Sequence, residues 1–446
     1  MSHRALAGGG GAPGTIHVAQ AGPRMFAALV ENAEYRRFYA GQAISLLGTW
    51  SQAAAVSWIV FELNRSALWL GAVEACGIVP GLLVGLSAGA TADRVRPRSM
   101  ILTMQASQML LAWLLAALVG LGIARVWQMA LIVALGRICV TFELSSRQVL
   151  LKEVVGRSWF PNAIALNSGL FHAAKVLGPA LAGLCLARFG RPVPFALNGL
   201  SYLASIAAVL SIRVGRCPVA RKGCGEAGIL GGIAYLRRDG QGRTLYLLIT
   251  AVGVAGMGYV ALVPAYARLV VHTGPFGYSL LLACGGLGAT AGALVVAAFA
   301  DRHSRESLVH GGATLLAVSL LAAATLPAAI GGAWSPRVAL AVAAACLLGA
   351  GLGASVFYAS AQTLIQSAVP DELRGRIMGL WMIAYSGPVA LGALWAGCAA
   401  QRWGVAPALG ASALLCASAA LVMYLGGTLH AQGPAGTAAD CVKPVR

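Results

Sequence analysis

Charge is the first scarcity in this chain. Only 10% of its 446 residues are Asp, Glu, Lys or Arg, against about 25% in an ordinary soluble domain. Acids are scarcest, 14 against 32 Lys and Arg. A soluble fold of this length needs far more polar surface to cover its core. A soluble enzyme is therefore excluded, and the 59% apolar content excludes disorder. Chemical motifs are missing too. The ten cysteines contain no C-x-x-C pair, which indicates neither a zinc site nor a disulfide framework. They read as small apolar packing residues. No G-x-x-x-x-G-K-[ST] and no H-E-x-x-H occur, nothing resembles a K⁺ filter loop, and no paired catalytic groups stand out. ATP hydrolysis, a metal site and an enzyme are not expected.

Long apolar runs are what the chain has instead, and its mean hydropathy is +0.77. They fall near 38–61, 67–92, 99–122, 127–150, 162–186, 193–212, 244–267, 277–300, 309–331, 338–363, 376–400 and 405–428. Each is close to the roughly 20 residues that cross ~30 Å of hydrocarbon. In lipid every backbone group needs an internal partner, so these stretches should be helices. The expectation is an all-α membrane protein with twelve transmembrane helices. Residues 1–34, rich in Gly and Ala, lack the long apolar run of a secretory signal and read as a flexible tail. A six-helix unit over 35–212 follows, then a polar linker over 213–243. A second unit covers 244–428, and a tail covers 429–446.

The net charge of +18 would suggest nucleic acid in a soluble protein. In a membrane protein it reads as topology, because Lys and Arg collect in cytoplasmic loops. With both termini inside, the cytoplasmic segments hold 22 Lys and Arg and the outer loops hold 7. Both termini are therefore expected in the cytoplasm. Within the linker, Gly228 to Arg238 carries an apolar stripe ending in basic residues. That suits a short helix on the membrane surface, and a flexible linker is the alternative.

The two units repeat. Ala92-Asp93-Arg94 recurs as Ala300-Asp301-Arg302 at an offset of 208, and Gly178-Pro179 recurs as Gly387-Pro388 at an offset of 209. Parallel six-helix repeats are one transporter architecture. With the run Tyr35 to Trp50, the run Asn162 to Asn167 leading into Gly178-Pro179, and the run Pro370 to Gly379, the chain resembles the major facilitator superfamily. It is most similar to a bacterial exporter branch that includes the enterobactin exporter, macrolide efflux pumps and the transmembrane secretion effector group. The resemblance covers about residues 35–428. In the motif of loop 2–3, Gly89, Asp93, Arg94 and Arg98 match, while Arg96 and Pro97 differ from the family's pattern. Gly178, Pro179 and Gly183 resemble the antiporter motif of the fifth helix, with Gly183 one place late. Arg137 stands where family exporters often carry an arginine tied to proton coupling, without the Gln-Gly that usually follows.

Charge inside a membrane is costly, about 2.5–3.5 kcal/mol at helix centre on the gentlest scale. Glu74, Arg137, Glu143, Arg147 and Lys175 all lie deep in the first unit. Glu74 is the first candidate proton carrier, because a carboxyl withdrawn from water holds its proton more firmly. Arg137 has no acid three or four residues away and needs either a partner from another helix, such as Glu74, or a water-filled cavity. Glu143 and Arg147, four residues apart, either pair with each other or take part in coupling. Lys175 shares a face with His172, to meet an anionic substrate or to line a wet packing contact. Gln42, Ser45, Thr49 and Gln52 form a stripe about 80° wide on the first helix, facing a polar cavity or neighbouring helices. Phe357, Tyr358, Trp381 and Tyr385 offer an aromatic wall or ordinary packing. Asp93, Arg94, Arg98, Asp301 and Arg302 read as a cytoplasmic gate, or as topology residues. The Gly288, Gly292 pair and the Gly349, Gly351, Gly353 run read as helix-packing positions.

The expected activity is export of a small amphipathic siderophore, drug or metabolite across the bacterial inner membrane. Alternating access and proton antiport would drive it, with the proton gradient as energy source and no cofactor. The expected partners are a small molecule and the lipid bilayer, with no nucleic acid, and the expected state is a monomer. Uptake on the same fold and a non-transporting scaffold or sensor are the competing readings.

Overall fold

The computed structural model describes residues 26–92, 94–212, 240–299, 302–330, 335–369 and 371–425. Among them every regular element is a helix, and twelve spans are long and apolar enough to cross a membrane. In the first half these are α1 (Ala33–Asn64), α2 (Ala67–Cys76 and Val79–Ala92), α3 (Pro97–Gly120), α4 (Val126–Gly156), α5 (Ser158–Arg188) and α6 (Val193–Ser211). In the second they are α7 (Gly240–Gly256 and Tyr259–Leu269), α8 (Pro275–Phe299), α9 (Arg305–Ile330), α10 (Pro336–Ala368), α11 (Asp371–Trp403) and α12 (Val405–Leu425). Number and order agree with the apolar stretches of the sequence.

Local chemistry sets the ends. The Asn32 side chain accepts the Tyr35 amide at 2.9 Å and caps α1. Pro97 and Pro336 begin α3 and α10, where their missing N–H is not needed. Two boundaries differ from expectation. No loop separates α4 from α5: the chain turns at Gly156 alone, with φ 69°, a backbone region that glycine reaches without a Cβ clash. Lys152 therefore sits on helix rather than in a loop. Likewise the flexible tail expected over 1–34 does not extend past residue 25. Residues Ala27–Glu31 form a short helix with Ala27 and Ala28 buried. The Ala28 amide donates to Asn162 Oδ1, and Asn32 Nδ2 donates to the Val154 carbonyl. The linker segment 228–238, with its expected surface helix, lies outside the described residues.

The halves meet at one end of the bundle, the end of the α1–α2, α5–α6, α7–α8 and α11–α12 connections. Here Gln401 of α11 accepts from Ser66 Oγ at 3.0 Å and from the Ala67 amide at 3.1 Å. Trp58 of α1 packs on Tyr278 of α8, ring centres 5.2 Å apart, and Tyr278 Oη donates to the Ala54 carbonyl. Gly71 faces the Ala393 carbonyl and Gly397 faces the Ala67 backbone, each so close that a Cβ has no room. Toward the other end, which carries Arg94, Arg98 and Arg302, the same helices part. A Cβ at Gly85 or Gly89 of α2, or at Gly379 of α11, meets no atom within 4 Å. The cleft between the halves opens toward this basic end.

Candidate transport site

Three neighbouring chambers are described, one between the halves and two within the first half, and Phe171 of α5 lines all of them. The charged chamber, about 340 Å³, lies among α1, α2 and α4 of the first half and holds Glu74 and Arg137. The aromatic chamber, about 500 Å³, is walled by α7, α8, α10 and α11, with α5 contributing His172 and Lys175. A third, about 350 Å³, lies beside α4 and α5 and holds Gln42 and Arg147.

The charged chamber is built on a broken helix. Pro80 has no N–H to give the carbonyl four residues back, so α2 cannot run straight through it. The Gly77 amide bonds back to the Val73 and Glu74 carbonyls, both at 3.0 Å, and the Gly77 carbonyl accepts from Arg137 Nε. The break holds the guanidinium in the membrane interior. Glu74, one turn before the break, is half-buried at the chamber wall and interacts electrostatically with Arg137 without closing to an ion pair. Thr49 and Gln52 line the same chamber.

Glu143 sits elsewhere, at 3% exposure inside the first half. Its carboxylate accepts from Gln105 Nε2 at 2.9 Å and Gln108 Nε2 at 2.7 Å, and it forms an ion pair with Arg147. The network continues through Ser205 to Gln42, and through Tyr202 toward Thr49. Gln52 accepts from Asn198 Nδ2 at 2.9 Å. The polar stripe of α1 is thus divided. Gln42 and Ser45 are buried at 5% and 6% exposure, with Gln42 at the wall of the third chamber, while Thr49 and Gln52 line the charged one. Gln105 and Gln108, three apart in an apolar stretch, are a signal that sequence reading did not use.

In the aromatic chamber Tyr358, Trp381 and Tyr385 stand together. Tyr358 meets Tyr385 edge-on at 4.8 Å, and Trp381 stacks on Tyr385 at 6.4 Å. Phe357 meets Tyr358 edge-on at 4.9 Å from behind. It is fully buried, its backbone against Gly312 of α9, and lines none of the chambers described. Met257, Tyr259 and Met382, which sequence reasoning missed, complete the wall. Lys175 Nζ lies 6.0 Å from the Trp50 ring.

Only part of the expected gate is described. Arg94 and Arg302 are exposed, and Gly89 is half-buried with open space at its Cα. Arg98 donates to the Leu210 carbonyl at 2.6 Å, a cation on the last turn of α6. Asp93 and Asp301 lie outside the described residues. Gly178 and Gly183 serve packing. The first admits the Trp50–Ser51 backbone of α1, and the second admits Ser279 and Pro275 of α8, across the halves. Pro179 is buried beside them. Gly288 and Gly292 lie against the α10 backbone, as their spacing predicts.

A cleft between two six-helix halves, closed at one end, with charge in one half and aromatics in the other, is a transporter's geometry. The family model for transmembrane secretion effectors matches residues 25–434. The chain belongs to the transmembrane secretion effector family. This branch of the major facilitator superfamily consists of membrane transporters, not enzymes. Curated relatives agree. The staphyloferrin A transporter of Staphylococcus aureus is 23% identical over 52% of this chain and 59% of its own length. The multidrug efflux pump Tap of Mycolicibacterium fortuitum is 27% identical over 76% of this chain and 82% of its own. Among solved structures, the nucleoside transporter NupG (D323A mutant) superposes with TM-score 0.75 at 10% identity, over 88% of this chain and 99% of its own. A bacterial homologue of the lysosomal transporter Spinster, inward-facing and unoccupied, superposes with TM-score 0.68 at 13% identity, over 88% and 96%. These structures share the fold. This secretion effector is a multi-pass membrane transporter for a small-molecule substrate, with efflux-type relatives.

Proposed function

We propose that this transporter exports a small amphipathic molecule, a siderophore, drug or metabolite, from the cytoplasm by proton antiport. The observation that carries the reading is Glu74 facing Arg137 across a chamber that adjoins the aromatic one. A carboxylate beside a guanidinium leaves the pair neutral. A proton on Glu74 leaves it at net +1, and the charge change is felt in the cleft where substrate sits. The basic end is cytoplasmic by the loop-charge bias, so the cleft described here is the inward-facing one. In that state substrate enters the aromatic chamber and Glu74 gives up its proton to the cytoplasm. In the outward-facing state a proton from outside loads Glu74 and substrate leaves. The relatives named for siderophore transport and multidrug efflux support an amphipathic cargo. The membrane is the bacterial inner membrane, and one chain holds the whole cleft, which supports a monomer.

The test compares medium and cytosol by untargeted mass spectrometry in cells with the wild type, with no protein, and with Glu74→Gln. One compound should leave the medium and accumulate inside when the protein is absent, and Glu74→Gln should behave like the deletion. Full gradient-driven transport by Glu74→Gln would sink the proton role. A compound that stays in the medium only when the protein is absent would reverse the direction to uptake.

A further inference from the structure

We infer that the aromatic chamber recognises an organic anion, and that Lys175 is the residue that holds its negative group. This rests on the reading of the chamber as the substrate site. The charges of the cleft carry the argument. Arg147 is ion-paired with Glu143, and Arg137 faces Glu74 in the charged chamber. Lys175 is the charged side chain that remains. Among the described residues no carboxylate lines the aromatic chamber with it, and none gives it an ion pair or hydrogen bond. Its neighbour is the Trp50 ring at 6.0 Å, near the outer limit for a cation over an aromatic face.

His172, one turn before Lys175 on α5, lines the same chamber, and its Nδ1 is buried without a hydrogen-bond partner. An imidazole can donate, and an ammonium can only donate. A ligand with a carboxylate or similar acceptor group suits this α5 side of the chamber. A ligand with an ammonium would meet like charge at Lys175 and find no acidic side chain to pair with. The remaining wall, with Tyr385 stacked on Trp381, takes a flat apolar body. The ligand class is therefore an amphipathic organic anion: an aromatic or aliphatic body with one acidic group directed toward α5.

Three probes that share one fluorophore and differ in charge test this: dansylglycine (anionic), dansylamide (neutral) and dansylcadaverine (cationic). Binding is measured by fluorescence on the full-length protein in lipid nanodiscs, with empty nanodiscs subtracted. The wild type should bind dansylglycine at least tenfold more tightly than dansylamide. Lys175→Gln should erase that preference while keeping its dansylamide affinity, which also reports an intact fold. Lys175→Arg should keep the preference, and Lys175→Glu should transfer it to dansylcadaverine. Equal affinities in the wild type, no dansylglycine binding, or a preference that survives Lys175→Gln would overturn the inference. The assay needs no gradient and no direction, so it can fail while Glu74-dependent export holds, and the reverse.

Discussion

Two carboxylates inside the first half illustrate how surroundings divide identical chemistry. Glu74 is half-buried at a chamber wall with one cation nearby. Glu143 is enclosed by two carboxamide donors and a guanidinium. These bonds tie α3 to α4. Removing one member of such a network strands the others, at about 2 kcal/mol for a hydrogen-bonded charged group. Glu143→Ala should therefore lower the thermal midpoint of the purified transporter by several degrees, while Glu74→Gln leaves it near the wild-type value. A Glu143→Ala protein that melts like the wild type yet loses proton coupling would make Glu143 the carrier instead. The same contrast separates Tyr358, which lines the chamber, from Phe357 next to it, which is fully buried and lines none. Adjacent residues on a helix point about 100° apart, so a pair of aromatics in sequence rarely shares one wall.

At the level of helices, closure depends on backbones that touch. Helix α5 uses two glycines five apart, one for α1 of its own half and one for α8 of the other. Helix α11 repeats the device: Gly392 lies against Gly253 and Val254 of α7, and Gly397 against Ala67 and Leu68 of α2. In lipid, where no hydrophobic force drives helices together, such close approach is a main source of attraction. The tightest of these contacts are also the ones that must open in alternating access. Gly71→Val places a branched side chain against the Ala393 carbonyl and should wedge that end apart. Ser66→Cys and Gln401→Cys, introduced together in a background without native cysteines, should cross-link efficiently. Adding Gly71→Val should cut the yield by at least half. Unchanged cross-linking would mean that this contact does not hold the closed end.

Considered as a whole, the molecule is a repeat whose halves have diverged in chemistry. The first half keeps its membrane-embedded charge and a buried polar network, and the second half lines the larger chamber with aromatic and apolar side chains. The break in α2 and the break in α7 fall on non-equivalent helices, so each half bends differently around the cleft. Sidedness is a property of the whole chain, and labelling can test it. Met382 lines the aromatic chamber and is 56% exposed, and Trp403 is 59% exposed at the closed end. In a cysteine-free background, a membrane-impermeant maleimide should label Met382→Cys in inverted vesicles and Trp403→Cys in right-side-out ones. The reverse pattern would place the basic end outside and turn the proposed export into uptake.

Twelve spans, two halves and the basic end were all written in the sequence, because lipid imposes them residue by residue. About 20 apolar residues must span the bilayer, and Lys and Arg bias the loops. The unusual carriers of charge, Glu74, Arg137 and Lys175, were visible for the same reason: each interrupts an apolar stretch. Tertiary structure decided which of them meet. Arg137 lies beside Glu74 because α2 breaks between Cys76 and Val79, where the Gly77 carbonyl accepts from the guanidinium. Glu143 leaves the cleft because two glutamines from α3 enclose it. Among the described residues Lys175 has no counter-charge, because none of those in the second half brings an acid to it. Those outcomes depend on packing between helices distant in sequence, which no single stretch of residues encodes.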